Sequence, residues 1–255
     1  MTYQQMKICV LNLSGNVGKT TLAAHLLGGF RPLAKFISVE SINNSDAKKI
    51  DSLTIEELKA SQFREIYREM MTADDLIVDV GASNVGMFLD ELVKYRSAIG
   101  EFDLIVIPTV PADKQQKDTI DTIDLLSNLG FPGNKVRVIF NQHLCVDSID
   151  NTYVNVFGYA LGAGQNKACW MPAPVVHANE IFEMVKTTRK TVSELAADPT
   201  DWKARRNQAK LDKDIPALDL ALDGQIAHDL AYAAHANLQQ AYADLFAPYE
   251  SKVKQ

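Results

Sequence analysis

The chain has 255 residues, 47% of them hydrophobic and 23% charged, which is the make-up of a globular protein with enough sequence for one large α/β domain or two small ones. A net charge of −6 excludes a protein coated in basic surface, so any contact with DNA would be local or indirect. No apolar run reaches bilayer length and the N-terminus lacks a signal-peptide layout, so a cytoplasmic location is expected. Cys9, Cys145 and Cys169 form no metal-ligand spacing, and Cys9 and Cys169 read as buried thiols.

The first element is a short apolar strand from Lys7 to Leu13, rich in branched residues as a buried parallel strand should be. Leu13-Ser14-Gly15-Asn16-Val17-Gly18-Lys19-Thr20-Thr21 follows, and the apolar spacing from Thr21 to Leu27 suits a helix packed on a sheet. Strand, glycine-containing loop, Gly-Lys-Thr and helix form the setting of a phosphate-binding loop. Its backbone N–H groups face an anion, and the helix N-terminus adds partial positive charge. Lys19 would reach the β- and γ-phosphates, and the Thr20 hydroxyl would complete a Mg²⁺ shell. The alternative is a Gly-Lys-Thr that merely ends a loop and starts a helix.

A second strand spans Lys35 to Glu40 and opens into a polar loop from Ser41 to Asp51 that contains Asn43, Asn44 and Asp46. A helix is expected from Thr54 to Met71, with Thr54 and Glu57 as its capping box. The third strand, Asp75 to Gly81, is apolar up to Asp79. An acid at the carboxyl end of a buried strand beside a phosphate loop can hold Mg²⁺, usually through water. The alternative is an aspartate that caps the next helix, but Ser83 or Asn84 could do that. Gly81 would let the following loop pivot toward a γ-phosphate.

A helix from Val85 to Ile99, a strand from Phe102 to Pro108 and a helix ending near Gly130 come next. Strands follow at Lys135 to Asn141 and Ala168 to Pro172. Between Lys186 and Lys213 lie Lys186, Arg189, Lys190, Lys203, Arg205, Arg206, Lys210 and Lys213; they read as a solvated helix face or, more sharply, a weak nucleic-acid or partner surface. From Pro216 an alanine-rich helical stretch carries Leu218, Leu222, Ile226, Leu230 and Leu238, a stripe expected to pack on the domain. The whole predicts an α/β fold, a mostly parallel sheet with helices on both faces plus C-terminal helices. Residues 1–190 form the α/β domain and residues 191–255 a helical extension packed on it.

The loop resembles the deviant Walker A of the ParA/MinD group of P-loop NTPases, which reads Lys-Gly-Gly-x-Gly-Lys-Thr-Thr. Gly15, Val17, Gly18, Lys19, Thr20 and Thr21 match. Ser14 stands where the signature lysine belongs, and Asn16 replaces the second glycine; asparagine is the non-glycine residue that best tolerates positive φ. The string from Asn12 to Thr21, with Asp79 to Val85, looks closest to StbB-type plasmid stability proteins of conjugative plasmids. That resemblance implies an ATP- and Mg²⁺-binding switch in plasmid stability, partition and conjugative transfer. It also implies an ATP-dependent homodimer and a plasmid-encoded DNA-binding partner. It further implies that Asn141 hydrogen-bonds the adenine, where the alternative is a turn asparagine, and that Pro172 or Pro174 walls the base.

Two departures bear on turnover. Ser14 cannot neutralise charge across a dimer as the lysine does, and Ile42 stands where the group has a water-positioning aspartate, although Glu40 matches the first acid of that pair. Hydrolysis is therefore expected to be slow, with Lys19, Thr20 and Asp79 essential and Glu40 or Asp46 as helpers. Two other functions compete. A small-molecule kinase or ligase should carry an arginine-bearing lid, which Ser41 to Asp51 lacks; a pseudo-ATPase adaptor would suit Ser14 and Ile42.

Overall fold

The computed structural model describes residues 4–40, 50–95 and 97–250. Its strands are β1 (Lys7–Val10), β2 (Lys35–Val39), β3 (Ile55–Leu58), β4 (Leu76–Val80), β5 (Leu104–Thr109), β6 (Val136–His143) and β7 (Val175–His177). They form one seven-stranded sheet in the order β3-β2-β4-β1-β5-β6-β7, with every pairing parallel.

Alternation along the central strands builds two cores. Cys9, Val78, Val80, Ile105 and Ile107 face α2 (Phe63–Thr72), α3 (Val85–Lys94), α5 (Asp113–Asn128) and α7 (Val154–Leu161). Ile8, Val10, Ile77, Leu104 and Val106 face the helix after β1, α8 (Ile181–Thr188), α9 (Val192–Ala196) and α11 (Ile215–Glu250). Both faces of β1, β4 and β5 are thus covered, which is why these strands read as unbroken apolar runs. Each such side chain contributes about 1.5–3 kcal/mol by leaving water.

The helix after β1 begins as α1 (Lys19–Thr21) and continues in π register from Leu22 to Gly28. It covers one face on the way to β2, while α5 covers the other face on the way from β5 to β6. Right-handed crossovers in opposite directions therefore part between β1 and β5, and the loop sits at the resulting crevice outside the carboxyl ends of the strands.

Four expectations are corrected. The helix from Thr54 does not form: Ile55–Leu58 pairs with β2, and α2 starts only at Phe63. Glu57 is thus a strand residue opposite Ser38, not half of a capping box. The open edge of β2 overrides local helix propensity, and Lys35 holds the new edge through Glu56 at 3.1 Å and Glu69 at 2.7 Å.

The Val85 to Ile99 helix stops at Lys94 and resumes as α4 (Ala98–Glu101), because Tyr95 turns its ring onto Phe63 and Tyr67 at 5.2 and 5.0 Å. The sixth strand is reduced to a bridge between Arg137 and Cys169, and β7 forms at Val175–His177. Pro172 and Pro174 cannot donate to a ladder, so pairing waits until they are passed. Cys169 is consequently only partly buried, while Cys9 is fully buried.

Finally, α11 buries Ala227, Ala231, Ala234, Leu238, Ala241 and Leu245, whereas Leu222 and Ile226 are 38% and 51% exposed. The alanine face lets the helix lie close to the core, and its first turns meet α10 (Trp202–Asp212) instead, where Gly224 passes under the Trp202 ring. A buried arginine fastens the helix: Arg31 donates to Asp75 and, at 3.0 Å, to Tyr242 of α11.

Candidate functional site

The loop is anchored before it begins to turn. Leu11 still donates to Val106 at 3.1 Å, after which the buried Asn12 leaves the sheet. Its amide nitrogen donates to the Pro108 carbonyl at 2.8 Å and Thr119 Oγ1 at 2.9 Å, and its oxygen accepts the Ser14 N–H at 2.8 Å. The Leu13 N–H donates to Thr122 Oγ1 at 3.2 Å. One asparagine and two threonines therefore lock the base of the loop to β5 and α5.

Sequence reasoning passed over these three residues; the signal was an asparagine at the end of an apolar strand, where burial obliges it to be fully bonded. Asn12→Ala is expected to lower stability by about 1–3 kcal/mol through orphaned buried partners. Denaturant unfolding reads this directly, and a change below experimental error would refute the anchoring role.

The turn itself uses left-handed backbone at Asn16 (φ 57°) and Gly18 (φ 83°). The positive φ at Asn16 is the conformation its residue type suggested. Gly18 has a second constraint, because a Cβ there would lie 2.3 Å from Asn141 Nδ2. Lys19, 7% exposed, donates from Nζ to the Ser14 carbonyl at 2.6 Å. The Thr20 hydroxyl donates to Asp79 Oδ2 at 2.6 Å, while Asp79 Oδ1 is buried with no hydrogen-bond partner among the described residues.

Register places Asp79 beside Val10 on β1 and Ser38 on β2, so its carboxylate reaches the helix start from below. Glu40, just past β2, lays its carboxylate against Gly81, where a Cβ would come within 2.5–2.6 Å of it. The glycine after Asp79 thus serves close approach of Glu40; its φ of −59° is ordinary. Neither Ser83 nor Asn84 gives a side-chain cap to α3, and Asp79 turns to Thr20. Asp46 and Ile42 lie outside the described residues.

Two acids and one lysine share this end of the sheet. Burial lowers the Lys19 pKa, with Asp79 and Glu40 opposing. Burial likewise raises Glu40. Asp79 is pushed from 3.8 to about 6 by burial, Thr20 and Lys19 pulling it down and Glu40 pushing it further up.

A carboxyl pKa raised on folding means that the native state holds the proton more tightly, so this group's contribution to stability falls as pH rises from about 4 to about 6. Asp79→Asn is therefore expected to melt higher than the native sequence at pH 8, by an order-of-magnitude 2–3 kcal/mol, and no higher at pH 4. Equal melting at pH 8 would count against a buried charge at Asp79.

Beside the loop lies a cavity of about 710 Å³, lined among others by Gly18, Thr21, Pro111, Asn141, Gln142 and Glu180. Asn141 is 5% exposed and its Nδ2 donates to the Val17 carbonyl at 3.0 Å, so its amide holds the loop. Pro172 and Pro174 do not line this cavity. The Pro172 carbonyl meets Arg137 near the start of β6, and the Pro174 carbonyl accepts from Phe140 at 2.9 Å, so both precede β7 and lie below the loop.

The wall is built instead by the segment after β7, His177 to Glu180, and Phe182. Asn179, which accepts the Ile181 N–H at 2.9 Å at the start of α8, was the available sign of that turn.

Half of the basic stretch is matched by acids or amides. Lys186 meets Glu183 at 2.6 Å, Arg189 meets Asp51 at 2.7 Å and Lys190 meets Asp198 at 3.9 Å. Arg206 donates to Gln225 at 2.9 Å, and Arg205 lies over the Trp202 ring at 5.3 Å.

No family model matches the chain. No curated protein matches it in sequence either. Among solved structures it is similar to apo McdA of Cyanothece, at 16% identity and a TM-score of 0.48, over 86% of this chain and 99% of that one. It is also similar to the MinD cell division protein of Aquifex aeolicus, at 14% identity and 0.47, over 86% and 94%. The septum site-determining protein MinD of Pyrococcus horikoshii, complexed with Mg-ADP, matches at 13% identity and 0.47, over 73% and 87%.

Proposed function

We propose that this chain is an ATP- and Mg²⁺-binding switch protein of the ParA/MinD kind, working in the StbB-type setting of plasmid stability and conjugative transfer. The observation that carries the reading is the meeting of Thr20 and Asp79 at 2.6 Å beside Lys19, at the start of a helix preceded by left-handed Asn16 and Gly18. The residues fit a hydrated Mg²⁺. Asp79 Oδ1 is a buried acceptor with nothing to accept from, and Thr20 stands next to it.

In this reading Lys19 exchanges the Ser14 carbonyl for β- and γ-phosphate oxygens, and the N–H groups from Gly15 to Thr21 surround the phosphates. Bound Mg²⁺ would neutralise phosphate charge, held by Thr20 and, through water, by Asp79. Glu40, beside Gly81, would sense the γ-phosphate from the opposite edge. Residues 1–190 make up the ATPase domain and residues 191–255 its helical extension. The protein acts in the cytoplasm, forms a homodimer with ATP and works through a plasmid-encoded DNA-binding protein, contacting DNA weakly through residues 186–213 or not at all. No described helix is long and apolar enough to cross a membrane.

A second reading, a nucleotide-holding adaptor with little turnover, is favoured by Ser14. It is 3% exposed, its N–H donates to Asn12 Oδ1 at 2.8 Å and its carbonyl accepts from Lys19 at 2.6 Å, so it is packed into its own loop and offers no cation to a partner. Light scattering with Mg²⁺ and either ADP or a non-hydrolysable ATP analogue tests the switch. A doubling of mass with the analogue alone is expected; an unchanged mass at saturating analogue would move the assignment to the monomeric adaptor.

A further inference from the structure

We infer that Gln142 is a side chain that reads the purine base, an inference that rests on the nucleotide reading of the same site. Four non-glycine residues among those described have positive φ: Asn16, Gln142, Arg189 and Lys213. Arg189 and Lys213 end helices α8 and α10, where left-handed caps are ordinary, and Asn16 belongs to the phosphate loop. Gln142 has no such excuse. It sits within β6 at φ 58°, between the pairs Phe140–Val175 and His143–His177, where the register of the ladder shifts. A glutamine held left-handed costs about 1–2 kcal/mol, and such cost is concentrated at ligand-binding positions.

The shift breaks the strand's alternation just where β6 meets the cavity beside the loop. Gln142 is exposed and lines that cavity of about 710 Å³. Its amide has no hydrogen-bond partner among the described residues. The neighbouring amides each carry bonds within the chain. Asn141 Nδ2 holds Val17 and abuts Gly18, while Asn179 accepts from Ile181 and donates to Leu230 at 3.5 Å.

A free primary amide offers one donor and one acceptor side by side, which matches the adjacent donor and acceptor of adenine N6 and N7. Guanine presents two acceptors at the same edge, O6 and N7, and can satisfy only half of that amide. Pro111, Leu144 and Phe182, on the same cavity, supply apolar surface for the ring.

The test is calorimetric titration of the full chain with Mg²⁺·ATP, Mg²⁺·GTP and Mg²⁺·tripolyphosphate, for the native sequence, Gln142→Gly and Gln142→Asn. Glycine accepts the left-handed backbone and removes the amide; asparagine accepts it and keeps a shorter one. The native chain is expected to prefer ATP over GTP by about tenfold or more, the ratio falling to within about twofold in Gln142→Gly and to an intermediate value in Gln142→Asn. An unchanged ratio in Gln142→Gly overturns the assignment and returns the base to another group. Tripolyphosphate bound as tightly as ATP overturns it while leaving the phosphate site standing. Failure of all three ligands to bind overturns the nucleotide reading first and this inference with it.

Discussion

Lys19→Ala is expected to weaken Mg²⁺·ATP binding about a hundredfold or more, with the fold retained. Hydrogen bonds to charged groups contribute about 1.5–3 kcal/mol each, and Lys19 would make such bonds to two phosphates. The ammonium is already desolvated and held 2.6 Å from a loop carbonyl, so little ordering remains to be done when phosphate replaces that carbonyl. Its loss also leaves Asp79 and Glu40 without the cation that opposes their burial, so phosphate would meet two uncompensated acids. Lys19→Arg should not rescue. A bulkier planar fork does not fit a space closed by Ser14, and it would replace the compact point charge of the ammonium. Calorimetry that finds either variant within about threefold of the native affinity would remove Lys19 from the site.

The largest effect on stability is expected far from the loop. Arg137 is 0% exposed and donates to carbonyls, not to a carboxylate: Cys169 at 2.7 Å and Met171 at 3.2 Å from one nitrogen, Pro172 at 2.5 Å and Asp244 at 2.7 Å from the other. One guanidinium thus fastens the irregular chain before β7 and the far end of α11 to the start of β6. Burial lowers its pKa, as it would for any cation taken from water, with Cys169 and Tyr249 opposing.

Arg137→Met keeps much of the volume and strands four carbonyls in the interior. The expected loss is about 3–5 kcal/mol, because each orphaned buried acceptor costs about 1–3 kcal/mol and removal of the desolvated charge offsets part of that sum. For a chain of ordinary marginal stability, about 5–15 kcal/mol, that is about a fifth of the total or more. A midpoint shift in denaturant equivalent to less than about 1 kcal/mol would mean that water or backbone movement replaces the arginine.

The sequence by itself determined the two-faced parallel sheet and the glycine-containing turn after β1 that opens a helix with Lys19 and Thr20 close to Asp79 of β4. All of these are written locally. Apolar runs identify strands buried on both sides, and Gly-Lys-Thr after such a run leaves few other structures for the backbone. Asn16 announced its own left-handed turn for the same reason, since its side chain is among the few that accept it.

Tertiary structure decided what depends on a neighbour distant in the chain. Glu56 and Glu57 look helical until β2 offers an unpaired edge. Asn141 looks like the end of a strand until Val17, 124 residues away, accepts from its Nδ2 and ties it to the loop. Pro172 and Pro174 look close to the cavity beside the loop, but the lining on that side comes from His177 to Glu180 and Phe182. Asn12 meets Thr119 and Thr122, more than a hundred residues on, because β5 and α5 cross over beside the loop. In α11 the leucine stripe suggested one buried face; Leu238 of that stripe is buried, while Leu222 and Ile226 are exposed and Ala227, Ala231 and Ala234 take the closest approach to the sheet. Propensity and period are properties of a segment, while hydrogen-bond occupancy, edge pairing and gap width belong to pairs of segments that only the folded chain brings together.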